Sequence, residues 1–123
     1  MNIESYRTYC LKKPGTTEHF PFDEDTLVFK VMGKMFALSS LTSWESGEPR
    51  INLKCDPEEA VLLREKYPES VLPGYHMNKQ HWNTVVLNGE LTTKELQEFI
   101  DHSYALIVSS LTKKLKEELK RLD

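Results

Sequence analysis

Hydrophobic and polar positions alternate along this chain with a period that switches several times, and each switch marks an element. Residues 3–13, IESYRTYCLKK, bring Ile3, Tyr6 and Cys10 to one face at helical spacing, and Pro14-Gly15 stops the helix. The stretch TTEHFPFDED reads as a loop, broken by Pro21 and an acidic cluster. From Thr26 the period falls to two. In TLVFKVM, at 26–32, Leu27, Phe29 and Val31 oppose Val28 and Lys30, as a strand with one buried face requires. Gly33-Lys34 suits a two-residue hairpin turn with glycine first, and MFALSS at 35–40 is the return strand. The segment LTSWESGEP leads on to RINLKC at 50–55. There Ile51, Leu53 and Cys55 point one way, and Arg50, Asn52 and Lys54 the other.

Asp56-Pro57 then opens a helix, the aspartate as N-cap and the proline at the first helical position. Pro68 ends it near Tyr67, because a proline disfavours helical geometry in the residue before it. WNTVVLNG at 82–89 is a strand with a turn at Asn88-Gly89. Thr92 and Glu95 form a capping box, and the helix they start runs to about Ser110 with Leu96, Phe99, Ile100, Ser103 and Ile107 inward. A thin leucine stripe (Leu115, Leu119, Leu122) continues into an amphipathic tail, residues 115–123, beyond a single domain at 1–114. The predicted fold is α+β: a two-layer sandwich of mostly antiparallel sheet with helices on one face, in the order α-β3-α-β2-α.

Charge adds an asymmetry to this outline. The net charge of −3 argues against a protein held on nucleic acid by bulk electrostatics. Residues 26–55, however, are mildly basic through Lys30, Lys34, Arg50 and Lys54, while the helix after Asp56 is acidic. Apolar runs are short, as in AVLL at 60–63, so no span of a bilayer is expected. MNIESYRTYC lacks the basic-then-apolar pattern of a signal peptide. Cys10 and Cys55, too few for a disulfide framework, are expected to be reduced core thiols. A cytoplasmic monomer is the resulting expectation.

The densest chemistry lies in LPGYHMNKQHW, residues 72–82. His76 and His81 are five apart, a spacing that suits neither one helix face nor one strand face, and a metal site would need Asp101 or His102 as well. No metal and no cofactor is therefore expected. Ser103 follows Asp101 and His102, but consecutive helical residues diverge and make no triad. No nucleophile elbow or phosphate-cradling loop is present, so no enzyme is expected. The stretch also has a purely architectural reading. Pro73-Gly74 would make a turn, Tyr75 and Trp82 would pack at the core edge, and Asn78 would satisfy loop backbone groups. On the functional reading, Lys79, Gln80 and His76 are available to a partner.

FPFDEDTLVFKVMGKMFAL, INLKCDPEEAVLLREKYP and above all PGYHMNKQHWNTVVLNG resemble the MmcQ/YjbR family of small bacterial proteins, over about residues 3–114. The resemblance implies a sheet packed against helices of the frataxin-like (CyaY-like) and secretion-chaperone-like kind. It also implies a double-wing arrangement and a DNA-binding label that rests on fold alone. No activity and no cofactor comes with it. By motif, Lys54, Tyr75, His76, Asn78, Lys79, His81, Trp82 and Asn83 occupy the family pattern. The leading expectation is DNA binding through a basic strand-and-wing surface. Lys30, Arg50, Lys54 and Lys79 would meet phosphates beside Tyr75, His76 and Asn78, while Pro73, Gly74, His81, Trp82 and Asn83 would shape the loop. The alternative is a protein-interaction or chaperone-like adaptor that takes its partner on the C-terminal leucine stripe. A frataxin-like metal binder ranks last, since residues 3–13 hold only one acid, Glu4.

Overall fold

The structure, a computed structural model, describes residues 1–122. Helix α1 (Ile3–Leu11) starts at Asn2, whose side chain accepts the Ser5 N–H at 2.8 Å while the Ser5 hydroxyl returns a bond to the Asn2 backbone. Strands β1 (Thr16–His19), β2 (Thr26–Val31), β3 (Lys34–Ser40), β4 (Arg50–Lys54), β5 (Val71–Pro73) and β6 (Trp82–Val86) form one sheet in the order β1-β2-β3-β4-β6-β5. Every neighbouring pair is antiparallel. Helix α2 (Leu41–Glu45) lies between β3 and β4, α3 (Pro57–Lys66) between β4 and β5, and α4 (Thr93–Ser109) and α5 (Lys113–Lys120) follow β6.

The expected inward set forms the core. Leu27, Phe29, Val31, Ile51 and Leu53 are buried against Tyr6 and Cys10 of α1 and Leu96, Ile100 and Ile107 of α4. This is the α+β two-layer sandwich read from the sequence. No helix among the described residues is long and apolar enough to cross a membrane.

Four details depart from the sequence reading. Thr16–His19, taken as loop, is an edge strand that pairs Thr17 with Lys30 and His19 with Val28. The first hairpin turns on Met32-Gly33 rather than Gly33-Lys34. Both turn residues have positive φ, 49° and 85°, the signature of a type I′ turn. The segment after β3 contains α2, capped by Ser40, which sends Trp44 inward to stack on Tyr6 with centroids 5.3 Å apart. The leucine stripe is engaged within the chain in part: α5 buries Leu119, Leu115 packs half-buried on the same core, and Leu122 is exposed.

A bulge in β3 organises the sheet centre. The register shifts between Phe29 and Lys30, so that Phe36 and Ala37 both reach the core. Ser103 of α4 serves the disturbed ladder. Its hydroxyl donates to the Phe36 carbonyl at 2.6 Å and accepts the Lys54 N–H at 2.9 Å. The serine beside Asp101 and His102 is thus a buried bridge between helix and sheet.

Candidate ligand-binding cleft

The face of the sheet turned away from α1 and α4 was expected to be a solvated basic surface. By register, Val28, Leu38, Asn52 and Thr84 form one row across it. Val28, Leu38 and Val86 are buried even on this side, so the face is substantially apolar. Above it lies a cavity of about 680 Å³ floored by Leu38, Asn52 and Thr84. One wall is Phe22 in the β1–β2 loop; the other is Tyr75, His76 and Met77 in the β5–β6 loop. Thr42, Ser43 and Ser46 close one end at α2, where Arg50 also borders the space. These two loops flank the cleft and are called its first and second wing below.

The second wing is bent over the sheet by its backbone. The Tyr75 N–H donates to the Thr84 hydroxyl at 2.9 Å, that hydroxyl donates to Asn52 Oδ1 at 2.5 Å, and Asn52 Nδ2 donates to the Tyr75 carbonyl at 3.3 Å. A closed ring of three hydrogen bonds therefore fixes the wing on the cleft floor. The Tyr75 side chain points outward, 68% exposed, so it does not pack at the core edge as expected. Its ring lies 4.0 Å, centroid to centroid, from the imidazole of His76, which holds a left-handed φ of 58°. A non-glycine residue there is uncommon, and such positions concentrate at binding sites.

The base of this wing is held from the helix side by Arg64 of α3. Its guanidinium donates to Asn83 Oδ1 at 2.7 Å, to the Trp82 carbonyl at 3.1 Å and to the Lys79 carbonyl. Gly74 is needed where it stands, since a Cβ would lie 2.8 Å from Trp82 Cβ and 2.9 Å from the Trp82 carbonyl oxygen. The Asn78 side chain accepts the Gln80 N–H at 2.9 Å, the local satisfaction expected of it. The His81 carbonyl accepts from the Cys55 N–H at 2.8 Å, tying the loop to the end of β4.

The predicted phosphate contacts separate into three groups. Lys79 is exposed, and its ammonium donates to the Gly74 carbonyl of its own loop at 3.0 Å. Lys30 shares the helix-free face opposite Met35, and Lys54 shares it opposite Trp82; neither borders the cleft. Arg50 borders the cleft, with Glu48 3.7 Å away. Asp101 and His102 belong to the helix layer. Asp101 takes the Tyr9 hydroxyl and Lys13, and His102 Nε2 accepts the Asp56 N–H at 3.3 Å. Among the described residues, no three His, Cys, Asp or Glu side chains are placed to hold a metal ion together.

The sequence reading missed Phe22, Leu38, Thr84 and Arg64. An exposed-loop phenylalanine between Pro21 and an acidic run was the one available signal. The acids around it are committed. Asp23 accepts the Asp25 and Thr26 N–H groups, which hold its carboxyl below the usual range. Asp25 accepts the Ser40 and Thr42 hydroxyls and the Thr42 N–H, with the same effect.

Comparison with known proteins places the chain among relatives of the same size. The family model described as YjbR matches residues 11–106. The chain is 40% identical over 111 residues to the uncharacterized protein YbdF of Escherichia coli O157:H7, covering 90% of this chain and 88% of that one. It is 33% identical over 122 residues to the uncharacterized protein YjbR of Escherichia coli K12, covering 99% and 100%. A crystal structure of a Deinococcus radiodurans protein superposes with a TM-score of 0.88 at 39% identity, covering 97% of this chain and 88% of that one. A Pseudomonas syringae protein superposes with a TM-score of 0.69 at 34% identity, covering 86% and 98%.

Proposed function

This chain belongs to the YjbR family, and from that premise we propose that it is a non-enzymatic binding protein whose ligand sits in the cleft between the two wings. The observation that carries the reading is the cleft itself. Its volume of about 680 Å³ falls in the range of sites that enclose one small molecule, and it combines apolar Phe22, Leu38 and Met77 with the fixed polar groups of Asn52 and Thr84. The Tyr75–Thr84–Asn52 ring keeps one wall in place without a ligand, which lowers the ordering cost of binding. The non-enzymatic part rests on how the reactive groups are employed. Ser103 is locked between two backbone groups, and burial pushes the Cys10 thiol up to about 12 and the Cys55 thiol up to about 11.

A fragment screen read by amide chemical shifts tests this. Hits that converge on Leu38, Asn52 and Thr84 support it; hits scattered over the surface, or none at millimolar concentration, overturn it.

Duplex DNA is the second reading, supported by Lys30, Arg50 and Lys54 sharing the helix-free face. It predicts fluorescence-anisotropy binding tighter than about millimolar that weakens steeply with salt. Affinity indifferent to salt, or unchanged in a Lys30→Glu, Lys54→Glu double variant, excludes it.

A further inference from the structure

We infer that the cleft's ligand is an aromatic monoanion: a planar, mostly apolar molecule carrying one negative group. The inference rests on the cleft being the binding site and assigns the chemistry it selects. The chain has 19 acidic and 16 basic residues, yet Arg50 is the one formally charged side chain among the described residues lining the cleft. Among the described residues, no aspartate, glutamate or lysine lines it. The nearby acids Asp23 and Asp25 are held by hydrogen bonds to Thr26, Ser40 and Thr42 and do not border the space. A lone cation at the rim of an apolar cavity gives the site one electrostatic preference.

The counter-ion that Arg50 now has is weak. Its guanidinium lies 3.7 Å from Glu48, with both side chains more than half exposed, at 53% and 57%. Such a pair contributes little and yields readily to a ligand anion. A guanidinium suits carboxylate and phosphate alike through its paired donors. Asn52 adds to the polar side. One of its amide hydrogens is used on Tyr75, and an amide has a second.

The aromatic half follows from the walls. Phe22 at 64% exposure and Tyr75 at 68% are among the most exposed large hydrophobic residues of the chain, and both border this cavity. The remaining wall is the His76 ring and the Met77 side chain. Aromatic and thioether surfaces favour a π-system, by stacking, edge contact and sulfur–ring contact, over an aliphatic body of equal area.

Titrating 15N-labelled full chain with 2-naphthoate, its neutral isostere 2-naphthamide and the cationic 2-(aminomethyl)naphthalene tests the assignment. Naphthoate is expected to shift Leu38, Asn52 and Thr84 and to bind at least about tenfold more tightly than the amide. That margin should shrink with salt, vanish in Arg50→Gln and widen in Glu48→Gln. Equal affinity of the three probes within the cleft overturns the monoanion assignment and leaves the cleft standing. So does a naphthoate affinity unmoved by both substitutions. Absence of cleft shifts with every probe overturns the cleft reading and this inference with it.

Discussion

Arg64 shows how much one side chain can organise. Two of its three partners are backbone carbonyls, at Lys79 and Trp82, and the third is the buried Asn83 amide. Replacing it with methionine keeps most of the stem and strips the donors. Charge-assisted bonds contribute about 1.5–3 kcal/mol each when a partner is left unmet. Arg64→Met should therefore lower the thermal midpoint measurably, and hydrogen exchange should rise selectively across residues 74–82. Uniform exchange across the chain would show that Arg64 supports global stability and not the wing. Gly74→Ala belongs at the same scale: the added methyl would press on Trp82 backbone and Cβ, an overpacking that costs about 1–3 kcal/mol. Burial that pushes the two thiols up to about 12 and about 11 keeps both protonated at pH 8. Native protein should resist iodoacetamide there while unfolded chain takes two labels, countable by mass spectrometry.

Elements declare themselves in the sequence to the degree that they bury one face. The strand pattern of Leu27, Phe29, Ile51 and Leu53 and the capping box at Thr92 and Glu95 were legible because periodicity and cap chemistry are local. Strand β1 was not. Its residues TTEH are mostly exposed and its order comes from the β2 backbone, which no side-chain pattern encodes. Helix α2 is only five residues long, too short for a helical period to register. The Arg64 contacts were hidden for a related reason, since carbonyl acceptors carry no residue identity. Asp25 joins the first wing to the start of α2, and its depressed carboxyl makes that joint pH-dependent. Hydrogen bonds from Ser40 and Thr42 hold it below its ordinary 3.8. Its stabilising contribution is whole above the unfolded value and disappears as pH falls through the lowered folded value. Denaturant midpoints of wild type and Asp25→Asn should therefore differ at pH 6 and draw together below about pH 4. A constant difference across that range would remove Asp25 from the account.

Across the whole molecule, the helix layer makes the fold and the opposite face carries the candidate cleft. The sequence reading put cations on that opposite face and was right about the side to which Lys30, Arg50 and Lys54 belong. It could not see that Val28, Leu38 and Val86 are buried there or that two loops rise around them, because both depend on strands far apart in sequence. The contact between α5 and the first hairpin has a consequence for how the chain acquires its shape. A Cβ at Gly15 would lie 2.7 Å from Leu119 Cδ1 and 3.1 Å from the Met32 sulfur, so three distant segments meet at one point. Ribosomal synthesis delivers Gly15 and Met32 long before Leu119, and that junction stays uncovered until α5 has emerged. A chain halted before α5 would leave that junction without Leu119, so packing there is completed by the helix that arrives after every strand is made.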